Sequence, residues 1–206
     1  MRRLTLVRHG ITDWNTSGQF QGHTDVALSE KGRKQAAALA KHLADIVPTV
    51  DLVYSSPLRR AAETAKTVFP DHDIIFDDRL KELNFGAFEG FTQTENEQHE
   101  AWDAWFANPF ERAAPGGESY QALMTRAAAW LATLPRDADS FAFAHAGTIR
   151  MLISHVLGLE KPTWRKRIFL NHTSITRILF QGDEAVIERV NDTRHLAPNG
   201  VDPFAG

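Results

Sequence analysis

The feature that most restricts how this chain can fold is an alternation of short apolar runs with stretches of helical spacing. Strands are expected at Leu4–Val7, Leu52–Tyr54, Ile74–Phe76, Phe141–Ala144, Ile175–Phe180 and Val186–Val190. Between the first two, Ala36, Leu39, Ala40 and Leu43 recur three and four residues apart, so a helix is expected over Lys31–Ile46, with Ser29 as its cap and Pro48 as its stop. Tyr120, Leu123, Met124, Ala127, Leu131 and Leu134 form a similar stripe. Ser56-Pro57 reads as a capped helix start that puts Arg60 in the first turn, and Gly182-Asp183 as the turn between the last two strands. Strands interleaved with helices predict an α/β domain around a mainly parallel sheet.

Open sheets of this kind bind ligands at the carboxyl ends of their strands. Arg8-His9-Gly10 follows the first run, Arg60 the second and His145-Ala146-Gly147 the fourth, so both histidines and both arginines point to one pocket. Their chemistry suits a phosphate. Neutral imidazole is a nucleophile near neutral pH, which makes His9 the candidate for attack on phosphorus. The guanidinium groups of Arg8 and Arg60 can hold phosphoryl oxygens by charge-assisted forks that strengthen in the transition state.

Composition narrows the remaining classes. A chain of 206 residues with 43% hydrophobic content can bury a sizeable core, and its length favours one domain. A net charge of −3 leaves no basic footprint for nucleic acid, and no stretch approaches the ~20 apolar residues that cross a bilayer. Met1-Arg2-Arg3 runs straight into a strand without a signal-peptide pattern, so a cytoplasmic location is expected. With no cysteine, and with nine histidines that never fall into a His-x-x-x-His pair, no metal site and no cofactor are expected. The partner expected is a small-molecule phosphomonoester, with neither nucleic acid nor membrane; the sequence leaves a homodimer open.

The segments Arg8-His9-Gly10-Ile11-Thr12-Asp13-Trp14-Asn15, Gln21-Gly22, Leu28 to Gly32, Ser55 to Ala65, Glu82 to Gly90, Pro115-Gly116-Gly117-Glu118-Ser119 and His145-Ala146-Gly147 together resemble the histidine phosphatase superfamily, also called phosphoglycerate mutase-like. The resemblance implies a three-layer α/β/α fold in a single domain over residues 1–206, with 91–118 as a cap-like insertion and 191–206 as an irregular tail. It agrees with a phosphohistidine on His9, selects Arg60 over Arg59, places His145 in the phosphate pocket, and favours Glu82 over Glu89 as general acid by its distance to Gly86. Glu89 reads as a solvated carboxylate. Asn15, Thr12, Gln21 and the amides of Gly22 and Ala146 are secondary phosphate or substrate contacts, although Thr12 and Gln21 equally suit loop-stabilising roles. Two positions depart from the usual pattern: Ile11 stands where glutamate is common, and the Gly18 to Gly22 segment has glutamine where arginine is common.

Within this family the reading is a metal-independent phosphatase, resembling α-ribazole and broad-specificity phosphatases. The alternatives are a cofactor-dependent phosphoglycerate mutase and a non-catalytic phosphate-binding module. A mutase must also grip a carboxylate and a second phosphate, yet Glu82 through Glu111 contains no lysine or arginine, Leu83 stands where mutases carry arginine, and their long basic insertion is absent. A silent module would be expected to lose His9, Glu82 or an arginine. The same stretch carries Glu95, Glu97, Glu100 and Asp103 beside Trp102, Trp105 and Phe106. From it a preference for an uncharged, ring-containing leaving group is expected, unless the aromatic residues only pack the core.

Overall fold

The computed structural model describes residues 2–159, 167–182 and 184–199. Six strands form one sheet: β1 (Arg2–Arg8), β2 (Leu52–Ser55), β3 (Ile74–Phe76), β4 (Ser140–Ala144), β5 (Ile175–Gln181) and β6 (Glu184–Asp192). Their order is β3-β2-β4-β1-β5-β6. The first four are mutually parallel, while β5 runs antiparallel to β1 and β6 antiparallel to β5. The expected mainly parallel α/β sheet is what forms, with each strand within a few residues of its expected bounds.

Side-chain alternation along the central strands explains the layers. Leu4 and Leu6 of β1 and Ala142 and Ala144 of β4 pack with Ala127, Trp130, Ile149 and Leu152, which lie on α6 (Tyr120–Leu131) and α7 (Ala146–Val156). The opposite parity, Val7, Phe141 and Phe143, packs with Leu39 of α2 (Glu30–His42) and Ala65 and Val68 of α3 (Arg59–Val68). Helices therefore cover both faces of a sheet whose central strands are apolar on both sides. Burying a side chain such as the wholly enclosed Phe143 contributes about 1.5–3 kcal/mol.

Local expectations were met unevenly. Ser29 caps α2 through a bond from the Gly32 amide, but the helix stops at His42, short of Ile46. Leu43 is buried there, its carbonyl accepts from both Ile46 and Val47, and Pro48 falls inside a separate 3-10 turn, Val47–Thr49. Helix α3 begins at Arg59 with Leu58 at its cap position: Ser56 Oγ accepts the Leu58 amide at 3.3 Å, and the carboxylate of Asp25 accepts the Arg59 amide at 2.7 Å. The turn between β5 and β6 contains Gly182 at a φ of 62°; Asp183 lies outside the described residues. The tail is more ordered than expected at its start, since Asn191 and Asp192 belong to β6 and Arg194–Asn199 form a 3-10 helix; residues 200–206 lie outside the described part.

Residues 91–118 contribute two short helices, α4 (Gln93–Asn96) and α5 (Trp102–Ala107). Trp102 and Trp105 do not present surface to a ligand: each is 2% exposed, packed with Leu83, Phe88, Ala114, Tyr120 and Leu123. Phe106 alone of the three stays exposed. The aromatic cap expected to greet a ring-containing leaving group is thus a small third core, which removes the aromatic part of the ground for that preference and leaves the cation-free stretch 82–111.

Candidate active site

The strand ends set the site. Arg8 pairs with Ala144 and Ser55 with Phe143 in register. The ladder continues one residue beyond, with the His9 amide donating to Ala144 O at 3.0 Å and the Ser56 amide to Phe143 O at 2.9 Å. His9, Ser56 and His145 are therefore level at the carboxyl edge, and the rings of His9 and His145 lie 5.1 Å apart. The His9 Nδ1 is 2.7 Å from Gly10 O. A carbonyl only accepts, so the proton sits on Nδ1 and the lone pair is left on Nε2. His145 Nε2 is 2.9 Å from Ser56 Oγ. Both rings titrate well below the ordinary histidine value, through burial first and the Arg60 charge second. Both are neutral at physiological pH.

Arg8 and Arg60 supply fixed charge. Arg60, 1% exposed, donates to Gly22 O at 2.7 Å and Thr24 O at 3.0 Å. Arg8 donates to Leu170 O at 2.5 Å and lies 3.4 Å from His172 Nε2. Among the described residues neither forms an ion pair with a carboxylate, and the Nε of each is buried without a partner. Burial lowers Arg8 to about 9, helped by the charge of Arg150, and lowers Arg60 to about 10. Two desolvated cations whose hydrogen bonds, among the described residues, go to carbonyls and a neutral ring are suited to an anion.

Glu82 reaches this cluster from an irregular segment between β3 and the cap. Its Oε2 accepts the Gly147 amide at 3.0 Å and its Oε1 the Leu83 amide at 2.8 Å. A side chain at Gly147 would collide with the carboxylate, its Cβ falling 2.1 Å from Oε1. The charge of Glu82 acts on both Arg8 and Arg60, which puts the candidate acid near the two guanidinium groups.

The secondary candidates divide. Thr12, fully buried, caps helix α1 (Asp13–Thr16) in a reciprocal box with Asn15, and its hydroxyl also lies 3.0 Å from Gln21 Oε1. Thr12, Asn15 and Gln21 form one loop-closing network. Gly22, at a φ of 48°, offers its carbonyl to Arg60, and Ala146 opens α7 directly after His145. Glu89 is no solvated carboxylate: its oxygens accept from the amides of His23, Phe85 and Thr24 and from the Thr24 hydroxyl, at 2.6–3.0 Å. It therefore pins the 22–24 loop whose carbonyls hold Arg60.

One site residue escaped the sequence reading. His172 lies 5.8 Å from His9 between ring centroids and accepts from Arg8; burial, with the charges of Arg8 and Lys31, lowers it to about 2. It arrives through Thr173, a β-branched residue at a φ of 56° whose amide donates to His9 O. A lone histidine in an unpatterned segment carries no periodic signal.

Comparison with known proteins places this geometry. The model for the histidine phosphatase superfamily, branch 1, matches residues 4–193. A curated relative named "Probable phosphoglycerate mutase GpmB", from Salmonella choleraesuis, is 33% identical over 98% of both chains. The crystal structure of a phosphoserine phosphatase from Entamoeba histolytica in complex with 3-phosphoglyceric acid superposes with a TM-score of 0.83 at 30% identity, covering 95% of this chain and 100% of that one. The α-ribazole phosphatase of Shigella flexneri gives a TM-score of 0.84 at 28% identity, over 93% of this chain and 96% of its own. This chain belongs to the histidine phosphatase superfamily. It is a phosphomonoester hydrolase with the phosphoglycerate mutase-like fold, acting through a phosphohistidine, and the mutase alternative is not favoured. Among the described residues no helix is long and apolar enough to cross a membrane.

Proposed function

We propose that this hydrolase acts in two steps on a small phosphomonoester that carries a carboxylate. The lone pair on His9 Nε2 attacks phosphorus, the bond to the leaving oxygen breaks, and protonated Glu82 delivers its proton to that oxygen. Water then attacks the phosphohistidine, giving its proton to the Glu82 carboxylate and releasing phosphate and neutral His9. Arg8, Arg60 and His145 bear the phosphoryl oxygens throughout. The observation that carries this reading is the pair of buried guanidinium groups that, among the described residues, form no ion pair with a carboxylate, set around a neutral histidine whose proton is held on Nδ1.

The carboxylate on the substrate rests on charge beyond the phosphate pocket. The stretch 82–111 is free of cations, but Lys31 and Arg150, on other elements, come close enough to depress His172 and Arg8. The positive charge of Lys31, which reaches His172 in the pocket, favours an anionic leaving group over a neutral one. The phosphoserine phosphatase similar to this chain was crystallised in complex with 3-phosphoglyceric acid, a phosphomonoester that carries a carboxylate.

The test is a screen of phosphomonoesters by kcat/KM with a chelator present throughout. Activity should persist, since the arginines supply charge that a metal ion supplies elsewhere. Phosphoserine or 3-phosphoglycerate should exceed a neutral ring-bearing monophosphate by at least roughly tenfold, which ~1.4 kcal/mol of differential transition-state binding gives. The reverse ranking overturns the carboxylate assignment; loss of all activity on chelation overturns the mechanism.

A further inference from the structure

Glu82 stands on a segment with no strand pairing, bounded by the 3-10 turns Asp78–Leu80 and Gly86–Phe88, yet general acid catalysis requires its carboxyl to sit within hydrogen-bond reach of one oxygen. Something outside the segment must hold it. Arg126, on α6, commits all its guanidinium N–H groups to that neighbourhood: Nη1 donates to Arg79 O and Lys81 O at 2.8 Å each, Nη2 to Glu82 O at 2.7 Å and Glu118 Oε1 at 2.6 Å, and Nε to Glu118 Oε2 at 3.1 Å. Glu118 Oε1 in turn accepts the Asn84 amide at 3.0 Å, and His23 Nε2 donates to Glu82 O at 2.9 Å. From the other side, Thr148 Oγ1 donates to Lys81 O at 2.7 Å.

From this arrangement we infer that Arg126, locked by Glu118, is the positioning residue of the general acid. The inference rests on the assignment of Glu82 given above. Arg126 touches no reacting atom: it fixes the Glu82 backbone, while the Gly147 and Leu83 amides fix the carboxylate, so the acid is held at both ends. A surface ion pair on a helix contributes little and tolerates exchange of arginine for lysine. Here the fork spans three backbone carbonyls and one carboxylate, and a lysine ammonium keeps the charge but cannot reproduce that geometry.

The experiment compares Arg126→Lys, Glu118→Gln and Glu82→Gln on an alkyl and an aryl phosphate, with Tm measured for each. A displaced acid harms only the leaving group that needs a proton. Arg126→Lys should lose roughly 10–100-fold in kcat/KM on the alkyl phosphate, the scale of a small misplacement, and only a few-fold on the aryl one. Glu118→Gln should show the same bias more weakly, which keeps the test open if Arg126→Lys folds poorly. In a Glu82→Gln background, Arg126→Lys should add almost nothing, because both act through one proton transfer. Equal losses on both substrates for Arg126→Lys, or a further loss in the Glu82→Gln background, would overturn the inference alone. Equal losses for Glu82→Gln itself would overturn the acid assignment, and the inference with it.

Discussion

The two halves of the active site are built on opposite principles. His9, Ser56 and His145 sit on the aligned ends of adjacent parallel strands, and their backbone positions follow from a ladder that runs through the middle of the sheet. Glu82 belongs to an irregular segment, and its position depends on side chains: Arg126, Glu118 and His23 grip its backbone, with the Gly147 amide on its carboxylate. The half proposed to bind phosphate takes the backbone positions of His9 and His145 from the sheet, whereas the backbone of the proposed acid is fastened by side chains. Substitutions should therefore separate the halves by what they do to leaving-group dependence.

The largest separation is expected from Glu82→Gln. Loss of the acid should cost roughly 10²–10⁴-fold in kcat/KM on an alkyl phosphate and little on an aryl phosphate with a good leaving group. Equal losses would move the acid elsewhere. Next comes Arg60→Lys in the other half, where removing the fork from a developing charge should cost roughly 10²–10³-fold on both substrates alike. A loss confined to the alkyl phosphate would show that the halves are not distinct in this way.

The smallest expected effect is on stability against pH. His9, His145 and His172 are buried neutral, so their values in the folded protein lie below the unfolded value of ~6.5. Below that pH the unfolded chain binds more protons, and stability that is fully present above ~6.5 is lost as pH falls. With His172 at about 2, its share alone is about 2 kcal/mol at pH ~5. Denaturant titrations near pH ~7.5 and ~5 should show the decline, and His172→Asn should flatten part of it. An unchanged slope in that variant would contradict burial of a neutral His172.

The same contrast explains what was legible in the sequence. Apolar runs and helical spacing report strands and helices, so the sheet and the residues at its strand ends could be read directly, while the three layers were implied by the family resemblance. Contacts between distant segments leave no such trace. Ser56 looks like a helix cap, yet its hydroxyl, which accepts the Leu58 amide, also lies against His145, and Asp25 takes the amide of Arg59. Trp102 and Trp105 carry the spacing of a helix face, and that spacing does not say whether the face meets a ligand or Leu123. Glu89 reads as surface because three of its four donors come from residues 23 and 24, joined to it only by the fold. Arg126 was invisible as a clamp for the same reason.

The central claim is that the strand-end histidine, with its proton held on Nδ1 and the buried Arg8 and Arg60 around it, becomes phosphorylated. Brief incubation with a labelled phosphomonoester, followed by quenching and peptide mapping, tests it most directly. The expected result is one acid-labile, alkali-stable phosphate on the peptide containing His9, accumulating in Glu82→Gln on an aryl substrate and absent from His9→Ala. Label that persists in His9→Ala, or that maps to serine or aspartate, would contradict the account.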